Sequence, residues 1–409
     1  MTPFPLALNE LVGRYGAYLV FLLIGFAFGF VLEIAGFGNS KKLAGQFYFT
    51  DMTVLKVMFG AIIVAMLMIF GATALGLLDY NLIWVNPTYL WPGIVGGFIM
   101  GIGFIVGGFC PGTSLVAAAT WKIDGIFFAM GALFGIFTFG ETVGAFDIFW
   151  SSSYMGRLTV PQVLGIDTGV VVLLVVLMAL FMFFGAEQLE RIFGGKDPKN
   201  APKWRYAAAG VLVLAALAII IMGQPTTEDR WEAISREKEP LLQDRSVYIH
   251  PGELLHTFHD HKVNLTMLDV RDEVDYNLFH LADAQRVPLD ELTNLTSEFQ
   301  LEPANTVFVV MSNDEADATE AWKILVAESV PNVYILEGGI NRWIETFAGD
   351  DERLRVLNEG DEEELRCEFA AALGSAFPAS DPDAHSYEIE YESKIKLELK
   401  RGPLGGGCG

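Results

Sequence analysis

Six apolar stretches of bilayer length fill the first 223 residues and limit this chain more than any other feature: residues 16–35, 54–78, 92–109, 126–149, 165–186 and 206–223. A bilayer crossing takes about 20 mainly apolar residues. Six buried helices of one large soluble domain would each need a polar face or complete burial, and a run such as residues 170–184 has no polar face. Glycine is dense in the first four stretches, which suits close helix packing in lipid. The first stretch continues into a longer hydrophobic pattern, which predicts a retained segment rather than a cleaved leader.

Charge divides the chain at the same place. Up to Gly223 there are 11 Lys and Arg and 11 Asp and Glu, out of 27 and 50 in the whole chain of 409 residues, so the net charge of −23 lies entirely in the C-terminal part. That part is unsuited to nucleic acid or anionic lipid. Three cysteines, Cys110, Cys367 and Cys408, are too few for a disulfide framework. With six crossings and an outer N-terminus, the inner loops hold Lys41, Lys42, Lys56, Lys122, Arg191, Lys196, Lys199, Lys203 and Arg205. The outer segments hold Arg14 and Arg157. The positive-inside rule then places the acidic part outside the cytoplasm.

The membrane half contains a repeat with an offset of 72 residues: Gly25, Phe26, Gly29, Gly36 and Phe37 match Gly97, Phe98, Gly101, Gly108 and Phe109. After the matched Gly-Phe the first copy continues Gly38, Asn39, Ser40, Lys41, Lys42, and the second Cys110, Pro111, Gly112, Thr113, Ser114. Each copy reads as a chain break followed by a half-helix dipping into the membrane, and Pro111 suits the first turn of such a helix. The two repeats cover about residues 16–78 and 88–149, with two further spans after them. Backbone broken at membrane depth is tolerated where it faces protein or a water-filled cavity. Paired broken helices are one way to build a substrate site at the midplane. Helix N-termini favour an anion there. Thr113 and Ser114 add hydroxyls, and Lys41 and Lys42 add positive charge. Cys110, at the second break, is placed to meet a soft sulfur atom. Glu33 and Glu141 fall inside spans, where ionisable groups are functional or paired with Lys41, Lys42 or Lys122.

Residues 36–45 (Gly-Phe-Gly-Asn-Ser-Lys-Lys-Leu-Ala-Gly) and 107–114 (Gly-Gly-Phe-Cys-Pro-Gly-Thr-Ser) resemble the two signatures of the YeeE/YedE-type sulfur-transport family, over roughly residues 15–223. That resemblance implies a polytopic α-helical membrane protein with re-entrant half-helices in a bacterial or archaeal cell membrane. Its expected cargo is a small sulfur anion, thiosulfate foremost, with Cys110 lining the path. The chain departs from members with several pore cysteines: Gly38 stands at the repeat position of Cys110, and the membrane half has no second cysteine. It is also shorter than the longer members, so a homo-oligomer would complete the pathway.

Beyond Arg230, short buried strands at residues 265–270, 306–311 and 332–336 alternate with helical stretches at 251–261, 273–280 and 316–329, the pattern of a parallel α/β sheet. Residues 268–271 (Leu-Asp-Val-Arg), 280–284 (His-Leu-Ala-Asp-Ala) and 336–343 (Leu-Glu-Gly-Gly-Ile-Asn-Arg-Trp) resemble a rhodanese domain over roughly residues 245–349. In active members a cysteine after the central strand starts a loop that cradles a persulfide. By the same resemblance that position is Met311, followed by Ser312, Asn313, Asp314, Glu315, Ala316 and Asp317. A thioether cannot be the thiolate nucleophile, and the acidic loop would repel an anion. The domain is therefore expected to bind or regulate rather than catalyse.

The expected organisation is a membrane domain over 1–223, a linker over 224–244, the rhodanese-like domain over 245–349 and an acidic tail over 350–409. Residues 387–400 alternate as in a strand or hairpin. The tail ends in a glycine-rich segment bearing Cys408, a tethered thiol suited to carrying a sulfur species or to incidental exposure. His256, His259 and His261 read as a solvated helix rather than a ligand set, so neither metal nor cofactor is expected. Three functions remain open: a transporter, a membrane-tethered sulfurtransferase using Cys408 or Cys367, and a sensor or scaffold of sulfur status. The partners they imply are a sulfur anion, the lipid bilayer, a further copy of the chain and a sulfur-carrier protein.

Overall fold

The computed structural model describes residues 4–195, 203–348, 352–358, 363–372, 379–387 and 389–397. Two compact units divide between Gln224 and Pro225.

The described part of the membrane unit is built of helices and their connections. Its helices are α1 Leu8–Ile34, α2 Ser40–Ala44, α3 Thr53–Ala74, α4 Leu90–Gly107, α5 Pro111–Ala119, α6 Ile123–Thr142, α7 Asp147–Trp150, α8 Val160–Leu164, α9 Thr168–Phe193 and α10 Trp204–Met222. Among the described residues six helical segments are long and apolar enough to cross a bilayer. They lie where the apolar stretches predict them. α1 begins a full turn and more before residue 16, interrupted at Gly13, and α9 runs two turns past residue 186.

One core forms where α3, α9 and α10 meet. Val172, Val176 and Ala179 on α9, at helical spacing, pack with Ile63 and Leu67 of α3 and Ala216 and Ile219 of α10. The small Ala179 and Ala216 side chains let the backbones approach. Glu190 near the end of α9 ties into the start of α3: it accepts from Met52 N at 2.8 Å and pairs with Lys56 at 2.5 Å.

The soluble unit begins with α11 Thr227–Gln243 and continues β1 Tyr248–Ile249, α12 Pro251–Phe258, β2 Asn264–Asp269, α13 Glu273–Leu278, β3 Gln285–Arg286, α14 Leu292–Phe299, β4 Thr306–Met311, α15 Ala316–Ala327, β5 Val333–Leu336 and α16 Gly339–Phe347. The stretch read from sequence as a linker is thus largely helix. α11 belongs to the soluble unit: Trp231 meets Trp322 of α15 edge-on at 6.1 Å, and Arg230 pairs with Glu328. The sheet is parallel, in the order β1-β5-β4-β2-β3. A parallel sheet is buried on both faces, and β4 shows it. Val307, Val309 and Met311 enter one core, Phe308 and Val310 the other, and all are within 1% of full burial.

Beyond α16, β6 Leu354–Val356 pairs antiparallel with β7 Cys367–Phe369. Residues 389–397, where alternation predicts a strand, form no ladder. They are pinned instead by side chains: the Ser393 hydroxyl and the Lys394 and Ile395 amides donate to one oxygen of buried Glu253.

Candidate functional site

The two breaks fall where the repeat puts them, and they meet. α1 ends before Gly36 and α4 ends at Gly108, both at positive φ (82° and 71°), a conformation that glycine adopts without strain. Phe37 and Phe109 follow and are buried in one core with Leu43, Val54 and Ala117. A Cβ built on Gly108 would stand 3.3 Å from Ser40, so the second break lies against the start of α2. Gly125 of α6 lets that helix close on Ala117 of α5, where an added Cβ would come within 2.3 Å.

Cys110 is the N-cap of α5. Its thiol accepts from Thr113 N at 3.4 Å and lies 3.3 Å from the Thr113 hydroxyl, which in turn accepts from Cys110 N at 2.9 Å. Oxygen-bearing side chains are the usual caps. Here a sulfur atom stands at that place, half-buried, at the positive end of a helix. Pro111 opens the helix and Gly112 follows. Ser114 is fully buried and donates to Pro111 O at 2.7 Å, so both predicted hydroxyls are engaged within the first turn of α5.

At the first break the capping residue is Asn39, whose side chain accepts from Lys41 N at 3.1 Å. Asn39 is therefore the structural counterpart of Cys110, one residue beyond the Gly38 that the repeat register indicates. An Asx cap before a short helix was the available signal for that shift. Lys41 is exposed, whereas Lys42 is spent on Ala35 O at 2.8 Å, at the end of α1. Among the lysines left open from sequence, Lys122 pairs with Glu33, at 3.4 Å, and Ser40 donates to Asp124 at 2.9 Å. Glu141 is exposed on α6.

In the soluble unit the loop after β4 is closed. Met311 is fully buried, and Ser312 and Asn313 are buried at 2% and 9% exposure. The loop carbonyls turn toward α16: Ile340 N donates to Ser312 O at 2.9 Å and Asn341 N to Asn313 O at 3.1 Å. Only glycine fits at 339, because a Cβ there would lie 2.1 Å from Asp314 O. Arg271 fills the space beside the loop, donating to both Asp269 oxygens, to Asn313 Oδ1 and to Phe279 O. Glu315 is tied down by Arg245 at 2.6 Å and by Gly338 N at 2.7 Å. Burial opposes its ionisation, but the Arg245 guanidinium and the Gly338 amide outweigh that and hold the carboxyl below its ordinary value.

Sequence reasoning missed what lies over this loop. Asn313 donates to Asp275 and to Glu363 O, Asn341 donates to Glu364 O at 2.8 Å, and Arg366 N returns a bond to Asn341. Leu365 and Phe369 are buried in the same core as Met311, with Phe369 stacked on Phe279 at 4.7 Å. The segment around β7 is thus a cover on the loop. Cys367 sits half-buried there, and burial raises its thiol pKa. His256 meets the Tyr391 hydroxyl and His259 meets Leu255 O, so these two histidines turn to different partners. Cys408 lies outside the described residues.

A family model described as "Sulphur transport" matches residues 35–234, and one for the rhodanese-like domain matches residues 250–346. The thiosulfate transporter TsuA of Spirochaeta thermophila is 25% identical over 222 residues, covering 49% of this chain and 62% of that protein. The chain thus spans less than two thirds of this curated relative. Two solved structures align with the soluble part: the rhodanese-like domain of an Anabaena protein (18% identity, 36% of this chain and 96% of that one, TM-score 0.24) and a Bacillus halodurans protein (20% identity, 27% and 80%, TM-score 0.23). With six membrane-capable helices and, after them, a parallel α/β sheet, the chain carries a sulfur-transport family domain over residues 35–234 and a rhodanese-like domain over residues 250–346.

Proposed function

We propose that the membrane unit carries a small sulfur-containing anion, thiosulfate foremost, past the two breaks and the Cys110 thiol. The observation that carries this reading is the meeting of the breaks: Gly108 lies against Ser40, Phe37 and Phe109 share one core, and Cys110 heads α5 beside them. First-turn N–H groups of α5 and the helix dipole favour negative charge. A thiol is a soft, weakly donating neighbour for sulfur, and no proton or electron needs to move for it to act so. That the relative TsuA is a thiosulfate transporter agrees with thiosulfate as cargo. The distribution of Lys and Arg supports an extracytoplasmic soluble unit.

In this reading the rhodanese-like domain is a binding or regulatory module without sulfurtransferase activity. Its support is the fully buried Met311 at the end of β4 and the β7 segment covering the loop. A thioether offers no thiolate.

Uptake of radiolabelled thiosulfate into vesicles containing the purified full-length protein tests the transport reading. Uptake above protein-free vesicles, reduced by sulfite or sulfide if the site reads sulfur, is the expected result. Absence of uptake in either membrane orientation overturns it. Thiocyanate released from thiosulfate and cyanide by the same preparation would overturn the non-catalytic reading of the soluble domain.

A further inference from the structure

The two breaks are not chemically equivalent, and the difference points to divided labour. At the second break stands a thiol. At the first, the matching repeat position is Gly38, which is buried and has no side chain. What lies on it instead is an ion pair: a Cβ on Gly38 would be 2.6 Å from Glu33 Oε2 and 2.8 Å from Lys122 Nζ. Lys122 comes from the other repeat, 89 residues away, and reaches over the first break. Its side chain keeps 37% of its surface exposed, and that of Glu33 keeps 43%.

Glu33 is poorly placed for helix stability. It occupies the last turn of α1, at the negative end of that helix's dipole, where a carboxylate is unfavourable. Lys122 stands between the end of α5 and the start of α6, whose dipole ends offset one another. Two polar groups nearby are engaged, Ser40 on Asp124 and Lys42 on Ala35 O, while Lys41 is exposed. Among the described residues Lys122 is thus a cation held over the first break by a single carboxylate, through an ion pair of modest strength that an anion can replace.

We propose that Lys122 recognises the oxygen-bearing, charged end of the transported anion, that Glu33 is its resident counter-ion which the anion displaces, and that Cys110 faces the sulfur end. This rests on the transport reading of the same site and names the class of substrate it prefers: an oxyanion that also carries a soft sulfur. Glu33 then acts only through Lys122. It positions the ammonium over Gly38 and competes with cargo.

Equilibrium binding of thiosulfate to the purified full-length protein in detergent, by calorimetry, tests this apart from transport. Lys122→Gln weakens binding and Glu33→Gln tightens it, each about threefold. The double variant binds like Lys122→Gln alone. A merely structural ion pair would move both single variants the same way, and that outcome, like unchanged affinity in both or no thiosulfate binding by the unaltered protein, overturns the proposal. Thermal unfolding of each variant checks that folding is intact. Opposite shifts in binding without vesicle uptake would sink the transport reading and leave the roles of Lys122 and Glu33 standing. Uptake with same-sign shifts would do the reverse.

Discussion

Cys110 and Met311 are two sulfur-bearing side chains, each at the end of a regular element and each on a loop that the sequence marks as chemical. Cys110 caps a helix in the membrane unit, half-buried, with Thr113 N and the Thr113 hydroxyl beside its sulfur. Met311 closes the central strand of the soluble unit, fully buried, under a cover anchored on Asn313 and Asn341. One sulfur is presented and the other is walled in. What a sulfur position can do depends on the polar groups around it. At Cys110 they leave a face open beside a helix N-terminus. At Met311 every loop carbonyl and the neighbouring guanidinium are already satisfied internally.

The largest effect that probes this contrast is on the seal around Met311. Asp269→Ala leaves the Arg271 guanidinium, 4% exposed, without its carboxylate. Stranding one partner of a buried pair costs about 3–5 kcal/mol. Thermal unfolding of the soluble unit in the full-length protein should drop accordingly, and an unchanged transition would show that the network around the loop is not what closes it. Next in size is Cys110→Ser. Serine is a better cap than cysteine, so helix α5 stays formed. Loss of the soft contact lowers thiosulfate uptake on the order of tenfold, the equivalent of about 1.4 kcal/mol. Unimpaired uptake by this variant would remove the distinction drawn for Cys110.

Met311→Cys is expected to destabilise by about 1–2 kcal/mol through lost packing and to yield no thiocyanate from thiosulfate and cyanide, because the new thiol remains buried under residues 363–369. Measurable turnover would mean that burial, unlike chemistry, is no barrier there. The smallest effect is the pH dependence of Glu315. Its folded pKa lies below the ordinary value of 4.5, so the stability it contributes is present above that pH and is lost as pH falls through the lowered value. The group is partly exposed, and the contribution is about 0.5 kcal/mol or less. Glu315→Gln should flatten the fall in unfolding temperature below about pH 4.5.

Much of the fold was legible because its signals are local. Apolar runs such as residues 170–184 have the length and composition of a span whatever they pack against. The strand at residues 306–311 is marked by continuous β-branched and apolar residues, as burial on both faces demands. β1 and β3, of two residues each, carry no periodicity to read. α16 was hidden by the glycines at its start, and the role of Gly339 is visible only against the loop of residues 312–314. The alternation read over residues 387–400 forms no ladder at residues 389–397, where the Lys394 and Lys396 amides dock on Glu253 and the Tyr334 hydroxyl rather than on a strand.

The amino-acid sequence by itself determined the number and position of the membrane helices, the places where the chain breaks, the thiol at the second break and the thioether after the central strand, since each depends on residue type and spacing along the chain. Only the tertiary structure decided that Glu33 takes Lys122 from among three lysines, and that residues 363–369 close over Asn313. The contacts concerned join groups 89 and 50 residues apart in the chain. The reason is physical: helix and strand periodicities report which face is apolar, and hold no information about which distant charge or amide will meet it.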